Sequence, residues 1–144
     1  MQPIYLYYYR NIANPPMDDR PYINKMISES IKEENNLIAT YQKMLDKEAS
    51  EVNIKIYKSM INDSKTHIRI LETIYGNLNG KAFDEEIEID NISTNIKDII
   101  YSNIELSKKY RKILYAMKNT THRYMMFDLL VDTINNDALL NAMK

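Results

Sequence analysis

The placement of proline constrains this chain more than any other feature of its sequence. The chain has four prolines, all near its start: Pro3, Pro15, Pro16 and Pro21. Proline blocks helix interiors because it lacks the backbone N–H and clashes with the preceding turn. The sequence therefore predicts an N-terminal tail over residues 1–21, with helix beginning only after Pro21. Residues 22–144 are free of proline and are predicted to form a single domain.

Four stretches of that domain place apolar residues at alternating three- and four-residue steps, which is the pattern of an amphipathic helix. They cover residues 22 to about 46, 51–75, 95–117 and 122–143. Each helix then has one apolar face that must be buried against the others. The sequence therefore predicts an all-α fold, a four-helix bundle.

The links between the predicted helices differ in length. The first two helices, and likewise the last two, are joined by a few residues, so each pair is expected to be antiparallel. The middle link, residues 76–94, holds both glycines and an acidic run at 84–90. At ~3.3 Å per residue it is long enough to travel the height of the bundle. This length permits a crossover in which helices 2 and 3 run parallel, with the acidic run as a solvated loop.

Composition excludes several kinds of site. The chain has no cysteine, two histidines and two glycines, which excludes disulfides, thiolate metal sites, three-histidine metal sites and glycine-rich phosphate loops. With 19 Lys and Arg against 20 Asp and Glu, the formal charge is -1, so no nucleic-acid footprint is expected. No apolar stretch approaches the ~18 residues of a membrane span, and no signal peptide is visible. A soluble cytoplasmic protein is expected.

Polar residues interrupt the apolar stripe of every helix near its middle. They are Glu34 in the first helix, Ser64 and His67 in the second, Asn103 in the third, and Thr133 and Asn136 in the fourth. Two helices thus carry one such residue, and two helices carry a pair three residues apart. Carboxylate-bridged di-metal bundles place their ligands in this layout, with a Glu on each of two helices and Glu-x-x-His on each of the others.

Flanking residues agree with the same pattern. The chain reads ENNLIATY at 34–41, DSKTH at 63–67, IYGNLNG at 74–80, KYRKI at 109–113 and FDLLVDTINN at 127–136. These segments are similar to E-x6-Y, D-E-x-x-H, I-Y-x-x-L-x-G and F-x-x-L-x-D-E-x-x-H, together with a family-like end of the third helix. From about residue 22 to residue 144 the sequence resembles ferritin-like proteins of the rubrerythrin type, in particular small stand-alone bacterial ones. The resemblance implies a ferritin-like four-helix bundle with a long crossover between helices 2 and 3.

The resemblance also implies six metal ligands, and most of them are replaced. Glu34 and His67 keep their identities, whereas Ser64, Asn103 and Thr133 stand where the family has Glu, and Asn136 stands where it has His. Family activities such as iron oxidation and storage, peroxide reduction and oxygen activation depend on the replaced residues. No enzyme activity of this kind is therefore expected.

Charge supports the loss of a di-metal centre. Two divalent ions would bring +4 to a site offering one carboxylate and one neutral imidazole, and uncompensated buried charge costs several kcal/mol per ion. Four other acidic residues lie near the stripes: Asp63, Glu105, Asp132 and Asp137. Each is one or two positions off a stripe, at ~100° of rotation per position, so these carboxylates are expected to point elsewhere.

Three hypotheses follow for the middle of the bundle. In the first, Glu34 and His67 form a hydrogen bond within a polar cluster, and the protein is a non-catalytic structural or interaction module without a cofactor. In the second, Glu34 and His67 retain one iron, zinc or manganese ion. In the third, a small apolar ligand occupies the partly polar core. Ser64 and His67 lie close on one helix, but no oxyanion donor or acidic orienting group indicates nucleophilic catalysis.

The remaining predictions concern aromatic residues and the second histidine. Tyr41 and Tyr110 lie on stripes, so we expect buried rings whose hydroxyls reach the polar cluster. The tail carries four tyrosines beside an arginine: Tyr5, Tyr7, Tyr8, Tyr9 and Arg10. Aromatic residues and arginine are enriched in interfaces, so a homo-oligomer formed through this tail is expected, with any other protein partner unknown. His122 is expected to be an exposed residue near a helix cap.

Overall fold

The computed structural model describes residues 19–90 and 92–143, and this part of the chain folds into four α-helices and no strand. They are α1 (Arg20–Lys47), α2 (Glu51–Asn79), α3 (Ile96–Ala116) and α4 (Thr120–Ala142). The predicted all-α four-helix architecture is confirmed. Within the described ranges, no helix is both long enough and apolar enough to cross a membrane. The predicted tail and its tyrosines lie outside these ranges, apart from the last three residues of the tail.

Helix α1 begins earlier than the sequence predicts. Pro21 lies in its first turn, and the side chain of Asp19 caps the helix by accepting a hydrogen bond from the Tyr22 N–H at 3.2 Å. The prediction that helix begins only after Pro21 is therefore wrong. First-turn N–H groups have no acceptor within the helix, so a proline there removes no helical hydrogen bond.

Helix α2 ends later than the sequence predicts. The predicted link began at Gly76, but the helix continues to Asn79 and ends at Gly80, whose φ of 67° lies in the left-handed region. The N–H of Gly80 donates to the Gly76 carbonyl oxygen at 2.8 Å. A side chain disfavours this backbone conformation, so Gly80 rather than Gly76 stops the helix.

The link between α2 and α3 lies along the outside of α1. Glu85 accepts a hydrogen bond from the Ser28 hydroxyl. Further along, the Asp90 carboxylate contacts the Lys32 ammonium at 2.9 Å, and the Asp90 N–H donates to Asn36 Oδ1 at 3.2 Å. Every acidic residue of the 84–90 run is exposed, so the prediction of a solvated acidic loop is confirmed.

The four helices contact one another in a square. Helix α1 packs against α2 and α3, helix α4 packs against the same two, and among the described residues the backbones of the diagonal pairs α1–α4 and α2–α3 do not approach closely. Between α1 and α2, Asn24 pairs with Asn79 and Glu34 with His67, so the two helices are antiparallel. Bonds between α1 and α3, and between α2 and α4, follow the same antiparallel order.

The core fills the space between the helices with side chains from all four predicted stripes. Its most completely buried aliphatic members are Ile27, Ile31, Met60, Leu71, Ile74, Leu106, Ile113, Met126, Leu129 and Leu140. Burying such a side chain contributes about 1.5–3 kcal/mol. This apolar frame surrounds the mid-bundle polar residues and fixes where their side chains meet.

Candidate functional site: a mid-bundle polar cluster

All six predicted polar positions face the interior of the bundle. Their exposed fractions range from 1 to 8% for Glu34, Ser64, His67, Asn103, Thr133 and Asn136. The prediction that each helix turns polar groups toward the core is therefore confirmed. Buried polar groups are costly unless hydrogen-bonded, so their partners determine what the cluster can do.

Glu34 and His67 form the predicted hydrogen bond at the centre. Glu34 Oε1 lies 3.1 Å from His67 Nδ1, and both side chains are almost fully buried. The same oxygen accepts a hydrogen bond from the Tyr110 hydroxyl at 2.6 Å. The predicted role of Tyr110, a core ring whose hydroxyl reaches the cluster, is confirmed.

The other nitrogen of the His67 ring contacts a second carboxylate. His67 Nε2 lies 3.0 Å from Asp132 Oδ2, and the Asp132 side chain is 46% exposed. The prediction that Asp132 points away from the cluster is wrong. Helix α4 packs directly against α2, so a carboxylate on the flank of α4 reaches across the helix contact to the imidazole.

The prediction that Asp63 points away from the cluster is also wrong. Its Oδ2 accepts a hydrogen bond from Asn136 Nδ2 at 3.3 Å across the same helix contact. Asp63 and Asp132 each directly precede a predicted ligand position, Ser64 and Thr133 respectively. This shared placement is the sequence signal for both contacts. A rotation of ~100° per residue describes where a side chain leaves its own helix, but not how far it reaches toward a neighbouring helix.

The two carboxylates determine the charge of His67. Carboxylates only accept hydrogen bonds, so an imidazole bonded to one at each nitrogen must donate from both and carry a positive charge. Burial lowers the pKa of His67, but the hydrogen bonds and negative charges of Glu34 and Asp132 outweigh it and raise the pKa above its usual value. In this state His67 has no lone pair with which to accept a proton from Ser64 or to bind a metal.

Asn103 and Thr133 have neutral partners. Asn103 donates from Nδ2 to the Tyr41 hydroxyl oxygen at 3.2 Å, which confirms that this tyrosine also reaches the cluster. The Thr133 hydroxyl donates to the Leu129 carbonyl oxygen of its own helix at 2.8 Å. Burial and the negative charge of Glu34 raise the pKa of Tyr110 well above its usual value, so its hydroxyl stays protonated.

A di-metal centre does not fit this donor set. Glu34 Oε2 is buried without a hydrogen-bond partner among the described residues, and it offers one oxygen. Four of the predicted ligand positions carry neutral side chains, and both His67 nitrogens contact carboxylates on opposite sides of the ring. Within residues 19–90 and 92–143, no three His, Asp or Glu side chains are grouped so that they could hold a metal ion.

His122 lies elsewhere, at one end of the bundle, and it is buried rather than exposed. Its exposed fraction is 6%, and its Nε2 accepts from Asn77 Nδ2 at 3.2 Å. The prediction of an exposed cap residue is wrong because α2 extends beyond its predicted end and brings Asn77 against the start of α4. Burial lowers the pKa of His122 below its usual value.

Comparisons with known proteins returned no match to a protein-family model, to a curated protein or to a solved structure. The resemblance to ferritin-like proteins therefore stays a prediction.

Proposed function

We propose that this chain is a non-catalytic, ferritin-like four-helix bundle that has lost its di-metal centre and acts through its surface as a structural or protein-interaction module. One observation carries the proposal: both ring nitrogens of the buried His67 are engaged by carboxylates, Glu34 at 3.1 Å and Asp132 at 3.0 Å. The imidazolium supplies inside the bundle the positive charge that metal ions supply in the family the sequence resembles.

The order of the helices supports a ferritin-like crossover. Because α1 is antiparallel to both α2 and α3, these two helices run parallel to each other on opposite corners of the square. The link contacts the outside of α1 at Ser28 through Glu85 and, eight residues further along the helix, at Asn36 through Asp90, so it runs in the direction that a crossover requires. This is the connection that the resemblance implies.

Charge still opposes two metal ions when the carboxylates of Asp63 and Asp132 are counted. Together with Glu34 they place three carboxylates near the cluster. Their combined charge of about -3 does not balance the +4 of two divalent ions. Asp132 is half exposed, so water already solvates part of its charge. The His67 imidazolium donates to Glu34 and Asp132, and the Tyr110 hydroxyl also donates to Glu34, so these two carboxylates are hydrogen-bonded without a metal.

One specific observation favours a second candidate function, the binding of a single iron, zinc or manganese ion. Glu34 Oε2 is buried and has no hydrogen-bond partner in the described part of the chain. An ion there would take this oxygen and His67 Nδ1 as ligands, after the nitrogen had lost its proton. Zinc sites in proteins have three or four strong ligands, and this pair offers two.

Metal content distinguishes the two candidates. The full chain is purified without chelator and analysed for iron, zinc and manganese, beside Glu34→Ala and the control Glu33→Ala. Glu33 is the adjacent carboxylate, but it faces Lys109 at 4.0 Å rather than His67. We expect far less than one metal per chain in all three proteins. Stoichiometric metal that is lost only in Glu34→Ala would contradict the proposal and establish the single-ion site.

A further inference from the structure

Helix α4 is apolar on its outer face as well as on the face that it buries. Large apolar side chains on that outer face are Tyr124, Phe127, Val131, Ile134 and Leu139, with exposed fractions of 70, 53, 38, 49 and 42%. Among the described residues, α1 and α2 expose one such side chain each and α3 exposes two. A helix with apolar residues all round is typically covered on both sides.

These outer residues form a continuous seam. From Tyr124 the steps to Phe127, Val131, Ile134 and the exposed Ala138 are three, four, three and four residues. Side chains at these steps are neighbours along one line of a helix, and this is the spacing at which two helices pack along a shared seam. We call these five residues and Leu139 the outer stripe.

We propose that the outer stripe is the interface with a second copy of this chain, with two α4 helices packed antiparallel about a two-fold axis at Val131. This deepens the proposed function, on which it rests, by naming the surface and the partner. Val131 lies at the middle of the seam, so an antiparallel pair brings it against its own copy. The bulky end of the stripe at Tyr124 then meets the small Ala138 of the partner, which fills space better than two bulky ends together.

Antiparallel packing also suits the helices electrostatically. It sets the positive N-terminal end of each macrodipole beside the negative C-terminal end of the other, whereas a parallel pair would align like ends. A two-fold axis uses the same patch on both copies, so the dimer closes and leaves no stripe uncovered.

The exposed area is close to what a dimer needs. Taking ~150–250 Å² for a whole aromatic side chain and less for an aliphatic one, the exposed parts of the outer stripe amount to roughly 450 Å² per copy. Two copies would bury about 900 Å² before the rim is counted, and specific interfaces begin near 1,200 Å². Exposed polar neighbours of the stripe, such as Asp128 and Asn135, supply the remainder.

The first test is the molecular mass of the full chain by sedimentation velocity from about 1 to about 100 μM. We expect a dimer that Val131→Glu converts to monomer. The matched control is Val52→Glu, because Val52 is a 66% exposed valine on α2, and this variant should remain dimeric. A monomeric parent protein, as would result if residues 1–18 covered the stripe, overturns the proposal. A dimer that survives Val131→Glu overturns it too.

The second test uses the absence of cysteine from the chain. Under mild oxidation we expect Val131→Cys to form a disulfide-linked dimer, whereas Val52→Cys and Ala138→Cys should not. Efficient cross-linking through Ala138→Cys would indicate a parallel pair. Cross-linking through Val52→Cys as efficient as through Val131→Cys would indicate random collision. Either result overturns the proposed geometry. Circular dichroism confirms that each variant is folded. Metal content is measured separately, so failure of this interface is distinguishable from failure of the metal-free proposal.

Discussion

The two histidines of this protein are both buried, yet their surroundings differ. His67 lies in the middle of the bundle between two carboxylates, Glu34 and Asp132. His122 lies at the bundle end, and its one described side-chain hydrogen bond is to the Asn77 amide. The pKa of His67 is raised by its carboxylates despite burial, whereas burial lowers the pKa of His122.

The partners of a buried histidine therefore decide its charge. Burial disfavours the charged imidazolium at both places, and a nearby negative charge reverses that preference only at His67. The polar cluster is therefore an internal ion network, whereas His122 is a neutral packing residue. A metal ligand has to be a neutral imidazole with an available lone pair, and the His67 imidazolium has none.

The largest expected effect comes from removing the central carboxylate. Glu34→Ala leaves the His67 imidazolium and the Tyr110 hydroxyl without their shared acceptor, so we expect a loss of about 3–5 kcal/mol in the free energy of unfolding. Glu34→Gln keeps an acceptor oxygen and should cost less, about 1–3 kcal/mol. Urea melts measure both values. Equal tolerance of the two variants would contradict a buried ion pair.

A smaller effect is expected at the second carboxylate. Asp132→Asn keeps a side-chain oxygen opposite His67 Nε2 but removes the charge, and the half-exposed position is screened by water. We expect a loss of roughly 0.5–1 kcal/mol in unfolding free energy, together with a lower pKa for His67. Glu72→Gln, at an exposed carboxylate on α2, is the matched control. An unchanged His67 pKa in Asp132→Asn would remove this residue from the network.

The two histidines should also leave opposite signatures in the pH dependence of stability. The pKa of His67 is raised from 6.5, so its stabilisation is complete below pH 6.5 and is lost as pH rises through the folded-state value. The pKa of His122 is lowered from 6.5, so the unfolded chain takes up the proton first and stability falls as pH drops below 6.5.

Two variants separate these contributions. His122→Gln should reduce the fall in stability on the acidic side and leave the alkaline side unchanged. Asp132→Asn should move the alkaline fall to lower pH. Urea melts from pH about 5 to about 9 give both profiles. A His122→Gln profile that loses its alkaline fall instead would reverse the assignment of the two histidines.

Sequence periodicity predicted the fold and the centre of the site well, because burial follows directly from helix spacing. The stripes placed Glu34, His67 and Tyr110 in the core, where they form one hydrogen-bonded group. Predictions for side chains of the site failed where the outcome depended on a neighbouring helix. Asp132 reaches His67 across the contact between α4 and α2, and His122 is buried by the extra turn of α2 that carries Asn77. A helical wheel describes one helix alone, so it contains neither of these contacts between helices.

NMR titration of the two imidazoles would show whether the middle of the bundle holds an imidazolium between carboxylates. The chain has only two histidines, so His122→Gln assigns both sets of resonances. We predict a titration midpoint above 6.5 for His67 and below 6.5 for His122, with both His67 nitrogens protonated on the acidic side of its midpoint. A His67 midpoint at or below 6.5, or a His67 ring that keeps one nitrogen unprotonated throughout, would contradict this account.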